Sequence, residues 1–166
     1  MSRYPITGPT RRLEEKINGQ KKPKPQNLKD KPYTKTNIVL ALVAERGAIC
    51  LHKDKRDFQG QQVLNAIRER PEFKVDRDKA LISLYNYLSR LKNQRYVKKI
   101  KVLKADGEYN KKTGAYGITK KGYQEANWLK NQRKLPPDLL DATFVDPSSR
   151  RFSDRRENIL IRFTHQ

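Results

Sequence analysis

The stretch LKADGEYNKKTGAYGITKKGYQEANWL, residues 103–129, carries the pattern that decides the fold. Glycines bracket a polar segment that contains Lys111 and Lys112, and short alternating apolar segments lie on both sides of it. Asp106-Gly107 is typical of a turn, because glycine adopts left-handed backbone conformations without steric cost. The pattern predicts a β-hairpin with two lysines at its tip, followed directly by an amphipathic helix that Thr119 caps.

Helical periodicity predicts three helices before this hairpin. The first follows Thr36, a residue suited to an N-cap, and because it is apolar nearly all round it should be the most buried helix. The second spans residues 61–70 and is stopped by Pro71. The third is the clearest, with Asp76 as the expected N-cap and a helical pattern over residues 77–94.

The third helix has one apolar and one polar face. The residues that we expect in the core recur at helical spacing: Leu81, Leu84, Tyr85, Leu88 and Leu91. The opposite face has no acidic residue, and it supplies the candidate DNA-binding side chains Lys79, Ser83, Asn86, Arg90 and Asn93. Asparagine and arginine form paired hydrogen bonds with adenine and guanine edges, although an ordinary solvated helix face has the same composition.

Short apolar segments predict a small sheet beside these helices. Residues 48–51 are a possible strand, and residues 115–119 form the returning strand of the hairpin. In YVKKIKVLK, residues 96–104, apolar and basic side chains alternate, which predicts a half-buried strand. Its basic face adds further candidate DNA-binding residues to Lys111 and Lys112, namely Lys99, Lys101 and Lys104. In the helix after the hairpin we expect an inward face of Tyr123, Ala126, Trp128 and Leu129.

The balance of charge favours a polyanionic partner. The 166 residues have a formal net charge of +20. Residues 36–135 hold 23 basic and ten acidic side chains, whereas residues 136–166 hold five of each. Self-repulsion of this size destabilises a compact fold unless a polyanion relieves it, so nucleic acid is the first partner to consider. The apolar periodicity and most of the positive charge lie in the same part of the chain.

Both ends of the chain differ from the middle. Residues 1–35 contain five prolines and few apolar side chains, so we expect a flexible basic arm. Residues 36–134 form the predicted nucleic-acid-binding domain. Residues 135–166 read as a C-terminal extension in which NILIRF, residues 158–163, looks like a strand. Such a strand can pair with a sheet edge of its own domain, of a second copy or of another protein.

Several classes of protein are disfavoured by what the sequence lacks. Cys50 is the one cysteine and the two histidines are far apart, so no metal site, disulfide or cofactor is expected. No catalytic signature is recognisable, and we expect a protein that is not an enzyme. No run of about 18 apolar residues predicts a membrane span, and the N-terminus has no secretory signal pattern. We expect an intracellular protein, in the cytoplasm and nucleoid, or in the nucleus of a eukaryote.

The segment AYGITKKGYQEANWL resembles the winged helix-turn-helix superfamily. Many winged-helix repressors, including the PadR-like and MarR-like groups, have a second wing strand that ends in Y-x-[LI]-T-x-x-G, and the matching residues here are Tyr116, Ile118, Thr119 and Gly122. The resemblance, with the order of predicted elements, covers about residues 36–133. The segment 71–76 between the second and third helices is longer than the tight turn of simple helix-turn-helix proteins.

The resemblance implies an α+β fold: a winged helix with a three-helix helix-turn-helix core, a β-hairpin wing and an additional C-terminal helix. It also implies a double-stranded DNA-binding transcriptional regulator that reads the major groove with helix 77–94 and phosphates with the wing, residues 104–114. One alternative is an RNA-bound or ribosome-associated winged-helix protein, and another is an accessory subunit of a replication, recombination or transposition complex. A homodimer or a protein partner is possible through the last helix or residues 135–166.

Overall fold

The computed structural model describes residues 33–103, 106–110 and 113–164. The basic arm up to residue 32, and the candidate lysines Lys104, Lys111 and Lys112, lie outside the described residues. In chain order the helices are α1 (Lys35–Arg46), α2 (Phe58–Glu69), α3 (Ala80–Asn93), α4 (Lys120–Asn131), α5 (Pro137–Leu140) and α6 (Arg150–Thr164). The strands are β1 (Ala48–Cys50), β2 (Val97–Lys99), β3 (Val102–Leu103), β4 (Tyr109–Asn110) and β5 (Ala115–Ile118).

Helix α1 forms the centre of the core, as its composition predicts. Seven consecutive residues from Ile38 to Ala44 are buried, so the helix has partners on every side. The expected N-cap was wrong by two positions. Thr34 caps the helix, because its hydroxyl accepts a hydrogen bond from the Asn37 amide at 3.1 Å and its carbonyl accepts the first helical bond.

Helix α2 begins three residues earlier than its apolar pattern suggests. Asp57 is the N-cap, and its carboxylate accepts a hydrogen bond from the Gly60 amide at 2.7 Å. Phe58, in the first turn, is exposed, which is why the periodicity missed it. The helix ends before Pro71 as expected, and its inward side chains Val63, Leu64 and Ile67 are buried.

A 3-10 segment, Pro71–Lys79, kinked at Phe73, replaces the loop that was expected between α2 and α3. Phe73 anchors it with a fully buried ring. The prediction that Asp76 caps the next helix is wrong, since α3 begins at Ala80 without a side-chain cap. The Asp76 carboxylate instead accepts hydrogen bonds from Lys35 Nζ at 3.2 Å and from the Tyr87 hydroxyl at 3.1 Å.

The core face of α3 is rotated relative to the predicted stripe. Leu84, Leu88 and Leu91 are buried, while Leu81 and Tyr85 are only partly buried. Tyr87, which the stripe left out, is buried and packs edge-on against Phe73 with 5.7 Å between ring centroids. The outward face of the helix is rotated by the same amount.

A three-stranded antiparallel sheet has the order β1-β5-β2. The register pairs Ile49 with Tyr116 on one side of β5 and Lys99 with Tyr116 on the other. Residues 48–51 and 115–119 therefore contain the expected strands. Residues 96–104 do not form one strand: pairing with β5 ends at β2, and β3 pairs with β4 in a separate hairpin.

The turn of this hairpin includes Asp106-Gly107, as expected. Gly107 has a φ of 90°, and the Asp106 carboxylate accepts a hydrogen bond from the Glu108 amide at 3.0 Å. The strand register places Tyr109 opposite Leu103, so β4 is complete before the chain reaches Lys111 and Lys112. In the sequence the two lysines follow β4, and their place in the hairpin lies outside the described residues.

The C-terminal segment differs most from its prediction. NILIRF belongs to helix α6 and is not a strand. Phe152 and Ile159 are seven residues apart, a helical spacing, and both are buried in the common core. Residues 158–163 alone are too short to show the helical period, which is why they were predicted to be a strand. Residues 135–145 also contribute core side chains, namely Leu135, Leu139, Ala142, Phe144 and Val145. Residues after Pro32 form one compact unit.

In the part of the chain that the structure describes, six α-helices and a small three-stranded antiparallel sheet make an α+β fold. The order of the elements and the β1-β5-β2 topology are compatible with a winged-helix layout.

Candidate nucleic-acid interface

Two residues of the Y-x-[LI]-T-x-x-G segment fasten the corner between α3 and β2. The Thr119 hydroxyl donates to the Arg95 carbonyl at 2.6 Å and accepts from the Gly122 amide at 3.0 Å. A Cβ on Gly122 would lie 2.0 Å from the carbonyl oxygen of Tyr96, so only glycine fits there. The segment thus holds the start of α4 directly against residues 95–96.

The backbone at this corner is unusual for the residue that occupies it. Arg95 has a φ of 66°, in the left-handed region that favours glycine. The Tyr96 amide donates to Leu91 O at 2.9 Å and the Arg95 amide donates to Lys92 O at 3.0 Å, which together form a Schellman motif. An arginine at the position that most often holds glycine carries a conformational cost.

A groove of about 610 Å³ lies between the end of α3 and β2. We call it the β2 groove, and its lining residues are Lys92, Arg95, Val97, Lys98, Lys99, Lys101 and Thr119. Five of these seven residues are cationic and none is acidic. Such a concentration of one sign of charge attracts polyanions and gives phosphate oxygens several donors at once.

The structure places two predicted site residues, Lys99 and Lys101, in the β2 groove. Both are exposed, while the neighbouring Ile100 and Val102 are buried. The Lys99 ammonium also lies 6.0 Å from the centroid of the Tyr116 ring, so this ring supports the position of the cation.

The outward row of α3 is centred on Asn86. This residue is exposed, and so are Ile82, Ser89 and Asn93, which share its side of the helix. Lys79 is exposed at the start of α3, whereas Ser83 is half-buried. Ile82 is 61% exposed, although isoleucine is usually buried. An apolar side chain on a helix that enters the major groove can contact thymine methyl groups.

Arg90 and Asn93 line a different groove, of about 650 Å³, on the other flank of α3. We call it the α1 groove, and its remaining lining residues are Thr34, Thr36, Asn37, Gln94, Tyr96 and Glu125. The Arg90 guanidinium lies 5.5 Å from the centroid of the Tyr87 ring. The structure therefore does not bring Arg90 together with Lys99 and Lys101.

Three cations of the β2 groove were missed by sequence reasoning: Lys92, Arg95 and Lys98. Lys98 precedes Lys99, and strict alternation with Ile100 and Val102 would turn it toward the core, but both lysines of β2 are exposed. Lys92 lies next to the predicted core face of α3, and its outward direction follows from the rotated core face that the structure shows. Arg95 had one signal in the sequence, its position immediately after the end of a predicted helix.

Beyond the grooves, three features of the described residues bear on other kinds of site. No group of three or more His, Cys, Asp or Glu side chains among them is arranged to hold a metal ion. Cys50 is buried, and desolvation raises the pKa of its thiol. No helix within the described ranges has both the length and the apolar composition needed to cross a membrane.

Comparisons with protein-family models, with curated proteins and with solved structures found no match.

Proposed function

We propose that the protein is a winged-helix protein that binds double-stranded DNA and acts as a transcriptional regulator. In this proposal the outward row of α3 enters the major groove, and the β2 groove binds the phosphates of the flanking backbone. The observation that carries the proposal is the β2 groove, where five cations and no acid border the end of the same helix. Phosphate contacts of this kind fix the register of a protein on DNA, while base contacts specify sequence.

The chemistry of the groove favours duplex over single strands. Proteins that bind single strands stack unpaired bases on aromatic side chains, but no aromatic residue lines the β2 groove. Tyr116 and Tyr87 are 5% and 8% exposed, so neither offers a free ring face. The half-buried Tyr96 lines the α1 groove instead, and the Lys121 ammonium lies 5.2 Å from the centroid of its ring. A backbone contact without stacking suits paired strands.

The exposed face of α3 favours DNA over duplex RNA. The major groove of B-form DNA admits an α-helix, whereas that of A-form RNA is too deep and narrow for side chains to read. Asn86 lies at the centre of this face, and Ile82 lies one turn before it. The Asn86 amide suits adenine, and the apolar side chain of Ile82 suits the methyl group of thymine.

A competition binding experiment tests the proposal. Labelled duplex DNA is displaced by unlabelled duplex DNA, single-stranded DNA and structured RNA of matched length, at several salt concentrations. We expect duplex DNA to compete best at every salt concentration. A consistent advantage for structured RNA would contradict the proposal and favour an RNA-bound or ribosome-associated protein.

Selection from a random duplex pool separates a regulator from an accessory subunit. A regulator enriches one preferred site, because direct base contacts each discriminate by about 1–3 kcal/mol. A pool that stays random after selection, with duplex binding intact, would indicate a protein that binds backbone only, as an accessory subunit of a DNA-processing complex does.

A further inference from the structure

A second groove, of about 620 Å³, continues from the β2 groove. Lys98 and Thr119 line both of them. Beyond these two residues, the second groove is lined by the start of α4, the turn at residues 146–148 and the first half of α6. We call it the α6 groove. The two grooves meet at one lysine, so an extended ligand can pass from one to the other without leaving the protein surface.

The charge of the α6 groove is mixed but positive in balance. Its cations are Lys98, Lys120 and Arg156, and its one acidic lining residue is Asp146. The Asp146 carboxylate accepts hydrogen bonds from the amide and the hydroxyl of Ser148, at 2.9 and 2.7 Å, and these bonds lower its pKa. Asp146 is therefore charged at neutral pH and opposes an anion that enters the groove.

Helix α6 is a fixed wall of this groove. The Arg155 guanidinium donates to the buried carboxylate of Asp57 at 2.7 Å and to the Ala48 carbonyl at 3.0 Å, which fastens α6 to β1. Phe152 is buried against the sheet, where a Cβ on Gly117 would approach its ring to 3.1 Å. Arg156 follows Arg155 directly, so its backbone is held by these contacts while its side chain is exposed.

We propose that the backbone of bound duplex DNA continues from the β2 groove into the α6 groove, where Lys98, Lys120 and Arg156 contact further phosphates. This inference rests on the proposed function and extends its footprint to the C-terminal helix. The sugar-phosphate backbone suits the site because three cations line it and Lys98 is shared with the β2 groove. Of its two aromatic lining residues, Phe152 is buried and Tyr123 is half-buried.

Matched double variants test this extension. Lys120→Ala/Arg156→Ala removes two cations of the α6 groove. The control, Lys121→Ala/Arg151→Ala, removes two cations that belong to the same two helices but lie outside the groove. The Lys121 ammonium lies over the Tyr96 ring, and the Arg151 guanidinium donates to Glu45 O. On a duplex of about two helical turns the first variant should reduce the slope of log K against log salt by about 1–2, because each lost phosphate contact lowers it by about 0.9. The control should leave that slope unchanged.

Two outcomes would overturn the extension. One is an unchanged slope in the Lys120→Ala/Arg156→Ala variant, and the other is the same loss in the control variant. Failure of the wild type to bind any duplex would instead overturn the proposed function.

Asp146→Asn supplies a test that misfolding cannot imitate. Asparagine retains an oxygen that accepts from the Ser148 amide but removes the opposing charge. Affinity for the two-turn duplex should rise about twofold to fivefold at low salt, the size expected of one charge several ångströms from a phosphate in a solvated site. Unchanged or weaker binding by a variant of normal stability would contradict the inference.

Discussion

The two flanks of α3 are lined by grooves of similar size and different charge. The β2 groove, of about 610 Å³, has five cations and no acid, whereas the α1 groove, of about 650 Å³, has one of each, Arg90 and Glu125. The cations of both grooves are exposed, and each groove has one that lies over a tyrosine ring, Lys99 over Tyr116 and Arg90 over Tyr87. Charge, rather than shape, therefore distinguishes the flank that suits a phosphate backbone.

The ends of α3 and α4 sharpen the contrast. α3 ends in a Schellman motif with Arg95 in the left-handed conformation, and α4 ends in the same motif with Arg133, whose φ is 55°. Arg95 lines the β2 groove, while Arg133 lines neither this groove nor the α1 groove. The same backbone cost thus occurs once inside and once outside the candidate interface.

Gly122→Ala should have the largest effect, because it disrupts the corner between α3 and β2 that borders the β2 groove. The new Cβ would lie 2.0 Å from Tyr96 O, and relief requires α4 to move away from the corner. We expect a loss of about 3 kcal/mol in the free energy of unfolding, measured by urea denaturation. Lys121→Ala, in the same turn of α4, is the control and should change it by less than about 0.5 kcal/mol. A mild effect of Gly122→Ala would show that the corner is not tightly packed.

Asn86→Ala tests whether base reading belongs to the outward row of α3. On a preferred duplex the variant should lose about 1–3 kcal/mol of binding free energy, and much less on random duplex. Arg90→Ala is the comparison on the α1 side, and we expect it to lose less, because its guanidinium is directed toward Tyr87. A larger loss for Arg90→Ala, measured on the same selected site, would move base reading to the α1 flank.

Tyr87→Phe tests the polar contacts on the α1 side. Burial, with the hydrogen bond to Asp76, raises the Tyr87 pKa from 10.0 to about 12. Because its pKa is higher in the folded state, the neutral Tyr87 hydroxyl contributes its full stabilisation below about pH 10. This contribution is lost as the pH rises toward 12. Near pH 7 the variant should lose about 1 kcal/mol of unfolding free energy with the hydrogen bond. Urea unfolding from pH 9 to 12 should show a shallower alkaline decline for the variant, and parallel curves would contradict the assignment.

Arg95→Gly and Arg133→Gly should have the same small effect on stability but different effects on duplex binding. Each replaces a left-handed arginine by the residue that tolerates this conformation, so each should gain about 0.5–1 kcal/mol in unfolding free energy. Only Arg95→Gly should also weaken duplex binding, because only Arg95 lines the β2 groove. Equal binding by both variants would mean that the arginine at the corner has no role in the interface.

Local patterns in the sequence predicted the elements, whereas the site required packing information. The burial of Ile38–Ala44, the cap at Thr119 and the turn at Asp106-Gly107 each depend on neighbours a few residues away, and periodicity and turn chemistry find them. Lys99 and Lys101 were predicted for the same reason, since they alternate with buried residues.

The misses have a common physical origin in tertiary contacts. Burial of Tyr87 against Phe73 rotates α3, which exposes Ile82 and Lys92 and moves Arg90 away from the strand lysines. Helix α6 was missed because NILIRF taken alone fits a helix and a strand equally well. Its contacts with β1 are distant in the chain and leave no local pattern. Arg155, which bonds Asp57 nearly a hundred residues earlier, carries no local signal at all.

The salt dependence of duplex binding in a groove variant tests the central claim most directly. Lys92→Ala/Lys99→Ala/Lys101→Ala removes three cations from the β2 groove, and Arg68→Ala/Lys74→Ala/Arg151→Ala removes three exposed cations that line neither α3 groove. For the first variant we expect the slope of log K against log salt to fall by about 2–3, with a loss of affinity on every duplex sequence. The control should keep the wild-type slope. Equal slopes for the two variants would contradict the claim that the β2 groove binds the DNA backbone.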